Sequence, residues 1–474
     1  MKRSVSKAGL QMLIVILVSL MLVGVLDPCS PSFAKSMEES LTSSGPESAR
    51  ATTLRWFNQA KFGLFITWDP ACLASVETSW GMLLPPTEPG TISEAEYRVL
   101  YKRFNPTKFD PKAWIRLAKA AGQRYVVFVA KHHNGFCMWD SAFTDYKITN
   151  SPYGKDILAE LAAACKVEGM PLCIYYSQPD MNHPGFRDTS KLSFENYGGE
   201  PTRWQWVTYL DYMELQLTEL LTRYGDVRTM WFDGLGNQQK YDGPRFFRLI
   251  HSLQPGTLIN DRMGLEGDFS TPEQYMPDWI PTKSSNIQMG GMAHFTEHLA
   301  HPKGIPPPED FRPWETCMTI NNTWGYNQND RDFKSPQKLI QTLVDAASKG
   351  GNFLLDVGPT PDGTIQTEFE ERLLEIGKWM KANGDSIYGT TYGPLQDLHF
   401  GKTTAKGKTI YVHVFDWPTN RKLELSGLSV RVSGVKLLAG GENLQFHQTD
   451  DRLIIGVPPK APDPYVSVLA IKTR

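Results

Sequence analysis

Asp233 closes the apolar run Thr229-Met230-Trp231-Phe232 and is followed by Gly234. A strand that delivers a carboxylate and then turns sharply has this form, because glycine tolerates the turn. Taken alone, such an aspartate serves equally well as a cap. Opposite a second carboxyl group it becomes half of a machine for cleaving glycosidic bonds. One acid attacks or activates water, and the other protonates the leaving oxygen. Two glutamates from other segments qualify as partner: Glu273, in Thr271-Pro272-Glu273-Gln274, and Glu315, in Trp314-Glu315-Thr316-Cys317.

The stretch Lys131-His132-His133-Asn134-Gly135-Phe136 ends another apolar run. Neighbouring strand residues point to opposite faces, so both imidazoles share a direction only if the strand has ended. Paired imidazoles suit hydrogen bonds to sugar hydroxyls or a metal ion. A metal needs a third ligand at suitable spacing, and the chain carries no HExxH and no Cys/His cluster, so no metal is expected. Hydrolysis by two acids also needs no cofactor.

These residues require elements to position them. Strand-like runs occur at 62–67, 124–130, 171–176, 227–232, 257–260, 316–321 and 352–356, with room for another in 275–300. Helical patterns lie between them, at 111–121, 155–168, 203–224, 244–253 and 336–348. Alternation of this kind predicts a parallel sheet, and its length fits a (β/α)8-like barrel. A doubly wound open sheet is the rival, but no Gly-rich phosphate loop follows the first run. Polar residues stand where the runs stop: Thr67-Trp68-Asp69, Lys131-His132-His133, Ser177, Asp233, Asp261-Arg262 and Asn321-Asn322. In a barrel those ends share one mouth, where active sites are built.

From residue 395 to 474 short β-type runs separated by Gly, Pro and Asp predict a small C-terminal antiparallel β-sandwich, after a catalytic domain over 51–394. The N-terminus reads as export. Lys2, Arg3 and Lys7 precede an apolar run from Met12 to Leu26 and the small-x-small pattern Ser32-Phe33-Ala34. Residues 1–34 are therefore expected to be a signal peptide, leaving no membrane segment after cleavage, with 35–50 a flexible leader. Five cysteines follow the signal, an odd and sparse set rather than a disulfide framework. With 49 Lys and Arg against 51 Asp and Glu the formal charge is -2, which speaks against nucleic acid as a partner. The 13 Trp, 18 Tyr and 23 Phe suit sugar faces and apolar cores alike.

Taken together, certain stretches resemble the α-L-fucosidase family of glycoside hydrolases, family 29. They are Phe62-Gly63-Leu64-Phe65-Ile66, the Lys131–Phe136 stretch, Tyr175-Tyr176-Ser177, Trp231-Phe232-Asp233-Gly234, Asn260-Asp261-Arg262, Trp314-Glu315 with Trp324-Gly325-Tyr326, and Lys349 to Pro359 around Asn352-Phe353-Leu354-Leu355-Asp356. The resemblance implies a barrel followed by a sandwich, and an exo-acting, retaining enzyme that releases α-L-fucose from a fucosylated glycan or polysaccharide. It assigns the nucleophile to Asp233 and the acid/base to Glu273, with Glu315 as the runner-up. It places His132, His133, Trp80 and Arg262 at the sugar, and Trp68, Tyr176 and Trp324 from the same strand ends join the expected binding site. The chain departs from the family pattern at Thr67 and Asp69, where His-Trp-Gly is usual, and at Asn134, where aspartate is usual. All three changes fall in expected sugar recognition. They leave open a related sugar, such as an α-L-galactoside, or a binding protein without catalysis.

Overall fold

The computed structural model describes residues 46–85, 87–195, 201–234, 241–284 and 304–474. The expected signal peptide and the leader up to residue 45 lie outside the described residues. Residues 46–50 do not form a leader. They open helix α1 (Pro46–Ala60), whose Phe57 and Ala60 pack into the barrel interior. Burial of that apolar end is what orders a Ser/Glu-rich start.

Among the described residues seven parallel strands follow: β1 (Phe62–Ile66), β2 (Val126–Lys131), β3 (Leu172–Ser177), β4 (Val227–Asp233), β5 (Leu258–Ile259), β6 (Glu315–Thr319) and β7 (Asn352–Val357). They curl in the order β5-β4-β3-β2-β1-β7-β6. The remaining gap is spanned by residues 269–273, through parallel bridges Asn260↔Phe269, Ser270↔Trp314 and Glu273↔Cys317. This irregular stave closes the barrel. It lies upstream of the expected 275–300 region, and Pro272 together with its bridge-only pairing explains why no strand pattern marks it.

Helix α2 (Trp80–Leu83) lies at the strand ends, where Trp80 meets His133, and further helices are α3 (Glu94–Val99), α4 (Pro111–Ala121), α5 (Ile157–Glu168), α6 (Arg203–Arg223), α7 (Gly243–Leu253), α8 (Pro336–Ser348) and α9 (Thr367–Asn383), the longer of them covering the outside. Local chemistry sets several ends. Asp110 caps α4 by accepting from the amides of Lys112 and Ala113, Pro111 supplies the preset first turn, and Gly122 ends it at φ 89°. The strands are apolar on both faces because helices cover one side and the lumen core the other. Phe65, Val127, Val129, Cys173, Tyr175 and Trp231 fill the lumen, while Leu64, Phe128, Ile174, Tyr176 and Phe232 face the helices.

The second unit begins at β8 (Thr391–Tyr392), a few residues before the expected boundary. Strand β8 joins β9 (Gly401–Lys406), β10 (Thr409–Val414), β12 (Val432–Leu437) and β15 (Ser467–Thr473) in a five-stranded sheet. Strands β11 (Lys422–Ser426), β13 (Phe446–Gln448) and β14 (Arg452–Gly456) form the facing three-stranded sheet. Leu423, Leu425, Leu453, Ile455, Val412 and Leu469 pack between the two.

Candidate active site

Strand periodicity aims the nucleophile candidate. Trp231 points into the lumen, so Asp233, two residues on, points into the mouth. Its register partner on β3 is Ser177, and Tyr175 pairs with Trp231, so both share that face. The Tyr175 hydroxyl donates to Asp233 Oδ2 at 2.7 Å, and its ring stacks on Trp231. The expected sugar ligand Tyr176 has the opposite parity. It is fully buried outside the barrel, where its hydroxyl donates to Gln216 and Lys131 donates to it. Tyr175 takes the place assigned to Tyr176.

A register shift between Val129 and Lys131 turns Lys131 outward beside Tyr176, to pair with Asp180 at 3.1 Å. The chain leaves the strand there, and both His132 and His133 reach the mouth. Gly135 completes the turn at φ 83°, where a β-carbon would collide with the Asp180 carboxylate. His132 stacks on Tyr175, its ring centroid 4.1 Å from that of His133. His133 Nε2 lies 3.6 Å from Asp233 Oδ2, and Trp80 stands edge-on to His133 at 5.9 Å.

The triplet Asn260-Asp261-Arg262 pins the closing stave to β4. Asn260 exchanges two hydrogen bonds with the Phe232 backbone, continuing the ladder through its side chain. Asp261 accepts from the Thr271 amide and hydroxyl. Arg262 is buried over the Trp231 ring, with Nε on the Thr271 hydroxyl and Nη2 on the Thr271 carbonyl. Its Nη1 donates to Asp233 Oδ1 at 2.8 Å and to Glu273 Oε2 at 2.9 Å. Two such bonds to one nitrogen cap the separation of those oxygens at about 5.7 Å, a ceiling that admits a retaining pair (about 5–5.5 Å) and falls short of inverting spacing (about 6.5–9.5 Å).

The two carboxyls are driven apart in acidity. Burial would raise Asp233, but the Arg262 charge, the two imidazoles and the Tyr175 bond overcome it and hold the group well below the usual range. Burial raises Glu273, with the Asp233 charge adding to the effect and Arg262 opposing it. One acid is thus poised as an anion and the other as a proton donor. Gln274, just after Glu273, sits at φ 51°, a conformation costing roughly 1–2 kcal/mol. Its amide bonds the Cys317 carbonyl and its side chain the Thr319 hydroxyl, which hold the stave in place.

Glu315 does not reach this site. It is the first residue of β6, at the floor end of the lumen, whereas Asp233 is the last residue of β4. Tyr125 and Trp231 donate to its two oxygens, and burial pushes it up to about 7. Trp68 is also outside the site. It is 1% exposed in an aromatic cluster with Phe104, Phe109 and Trp114, its indole donating to the Thr360 carbonyl. Trp324 does border the lumen, edge-on to Phe65. Glu77 holds its backbone by accepting from the Trp324 and Gly325 amides, a positioning role no spacing revealed.

The departures from the family pattern prove to be internally paired. Thr67 donates to Asp356 at 2.7 Å. Asp69 is buried, capping Ala71 with one oxygen and accepting from Asn134 Nδ2 at 2.6 Å with the other. Both Asp69 oxygens are thus engaged within the protein. Two aspartates there would repel one another, so the Asn134 change complements the Asp69 change.

Among the described residues, His132, His133 and Asp233 are the group close enough to share a cation. Arg262, already 2.8 Å from Asp233, places a fixed positive charge against any such ion.

The chain matches the alpha-L-fucosidase family model over residues 32–385 and the model of the alpha-L-fucosidase C-terminal domain over 396–472. It is 28% identical to the alpha-L-fucosidase of Dictyostelium discoideum over 460 residues, covering 88% of this chain and 92% of that one. It is 27% identical to plasma alpha-L-fucosidase of Homo sapiens, covering 82% of each. Among solved structures, alpha-L-fucosidase isoenzyme 1 from Paenibacillus thiaminolyticus superposes with a TM-score of 0.77 at 34% identity, covering 90% of this chain and all of that one. A family 29 alpha-L-fucosidase from Bacteroides thetaiotaomicron superposes at 0.73 with 28% identity, over 89% of this chain and 95% of that one. That structure is a covalent intermediate trapped with 2-fluoro-fucosyl fluoride in a glutamate-to-glutamine mutant.

Proposed function

The chain belongs to the alpha-L-fucosidase family, and from that premise we propose that it is an exo-acting retaining α-L-fucosidase using Asp233 as nucleophile and Glu273 as acid/base. The observation that supports the residue assignment is the shared Arg262 nitrogen, which holds one oxygen of each carboxyl closer together than inverting spacing. Asp233, ionised, attacks the anomeric carbon while Glu273 gives its proton to the leaving oxygen. A glycosyl ester forms on Asp233. Glu273, now charged, removes a proton from water as the water attacks the same carbon, and the ester bond breaks. The covalent intermediate trapped in the Bacteroides relative supports this two-step course. His132, His133, Trp80, Tyr175 and Trp324 surround the sugar in this reading.

Thr67 motivates a second reading of the sugar. Its hydroxyl faces Asp356, which leaves the position of the usual family histidine without its donor to substrate. An α-L-galactoside shares the ring hydroxyls of fucose and adds one oxygen at carbon 6. The test is a panel of aryl α-L-fucoside, α-L-galactoside and other glycosides, followed by proton NMR of the first-formed product. Fucoside turnover with the α anomer appearing first is expected. A β product would overturn retention, galactoside preference would replace the sugar, and tight binding without turnover would replace the enzyme by a binding protein.

The same reading places the protein outside the cytoplasm, periplasmic or extracellular, acting on a glycan or polysaccharide. Support comes from the positive start, apolar run and small-x-small site within residues 1–34. N-terminal sequencing of the secreted protein should begin at or near Lys35.

A further inference from the structure

Behind each imidazole of the mouth stands a buried serine. Ser79 Oγ lies 2.6 Å from His132 Nδ1, and Ser177 Oγ contacts His133 Nδ1. Both serines have no solvent exposure. Burial pushes His133 down to about 4 and His132 well below its ordinary value, so each ring carries one proton and has two nitrogens to choose between. Which nitrogen faces the sugar as a donor is then set by what the other nitrogen meets.

Counting protons settles both choices. Ser79 Oγ accepts the Asn134 amide at 2.7 Å, and among the described residues its own hydrogen meets no acceptor other than His132 Nδ1, the ring nitrogen beside it. A nitrogen that accepts carries no hydrogen, and the ring proton of His132 resides on Nε2. For His133 the order is reversed. Nε2 faces the ionised Asp233 carboxylate at 3.6 Å, and a lone pair against that charge is unfavourable. The proton sits on Nε2, Nδ1 is bare, and the Ser177 hydroxyl donates to it. The other neighbour of Ser177, the Asp233 carbonyl, is 3.5 Å away and is the weaker acceptor. Neither ring can turn over easily, since His132 is stacked on Tyr175 and His133 is wedged between His132 and Trp80.

We propose that Ser79 and Ser177 are positioning residues for the glycosidase reaction, each donating to an Nδ1 so that His132 and His133 present two Nε2–H donors, and no imidazole acceptor, to the sugar. This deepens the functional reading above and rests on it for the identity of the sugar. The consequence is selective. Oxygens facing the pair must accept, so a hydroxyl or ether oxygen fits there. An ammonium group, with no lone pair, is rejected.

The test uses the full enzyme labelled with 15N-histidine. In the wild type at neutral pH, two imidazoles should show the pyridine-like nitrogen at Nδ1 and the protonated one at Nε2, without any substrate bound. Ser79→Ala should convert the His132 ring to a tautomer mixture, while in Ser177→Ala the Asp233 charge still holds the His133 proton on Nε2 and only the ring's anchoring is lost. Each should lower kcat/KM on the aryl glycoside about tenfold, the scale of one hydrogen bond. For Ser79→Ala the loss should fall chiefly in KM. A wild-type spectrum with Nδ1 protonated in either ring overturns the proposal. So does a folded Ser79→Ala variant whose His132 tautomer is unchanged. If a variant does not fold, the wild-type spectrum still decides. Because that spectrum involves no substrate, it stands apart from whether the sugar is fucose.

Discussion

The mouth and the floor of the lumen each hold a glutamate of raised pKa, and the two differ in everything else. Glu273 bridges to Cys317 on β6, while Glu315 begins that same strand, two residues deeper, or about 7 Å. The Glu273 side chain is 25% exposed and shares a guanidinium with a second carboxyl. Glu315 is 1% exposed and is closed over by Tyr125 and Trp231. Burial alone is enough to shift a carboxyl. An acid catalyst also needs access to the leaving oxygen and an anion across the ring from it. A perturbed acid is therefore a pointer to function only when geometry agrees.

The largest effect expected at the mouth comes from Asp233→Ala. Turnover should fall roughly 10⁴-fold or more with the thermal unfolding curve unchanged. Azide should restore product from an aryl glycoside with a good leaving group, and full turnover without azide would take Asp233 out of the role. The contrast between the glutamates is sharpened next. Glu273→Ala should lose about 10²–10⁴ in kcat on an unactivated glycoside, together with the alkaline limb of the pH profile. Glu315→Gln should keep both the rate and that limb. If the two variants exchange behaviours, mouth and floor have been assigned the wrong way round.

The smallest expected effect belongs to the floor and is read in stability. Glu315 moves from an ordinary value of 4.5 to about 7 on folding. Between those values the folded chain holds a proton that the unfolded chain has released, so stability falls as pH rises. For one group the slope is at most about 1.4 kcal/mol per pH unit. Glu77, raised to about 7, and Asp69, raised to about 6, act with the same sign. Denaturation midpoints at about pH 5 and about pH 8 should differ less in Glu315→Gln than in the wild type. An equal or larger difference would show that Glu315 is ionised at the floor.

The sequence by itself determined the strands, the polar residues at their ends and the carboxylate at the end of β4, because apolar runs and their abrupt stops are local properties. Asp233 and Arg262 could be named that way, and Glu273 could be paired with them only as one of two choices. Closure of the barrel decided the rest. Both faces of a covered parallel strand are apolar, so alternation carries no mark of inside or outside. Tyr175 and Tyr176 are therefore equivalent on paper, and only parity with Trp231 and Asp233 separates them. The shift at Lys131 that brings both histidines to the mouth is likewise invisible locally. Trp68 turned to the helices, Asp69 found Asn134, and residues 269–273 became the last stave through contacts with residues far along the chain. Such partners are chosen by the folded sheet, since no short stretch of chain contains both halves of the contact.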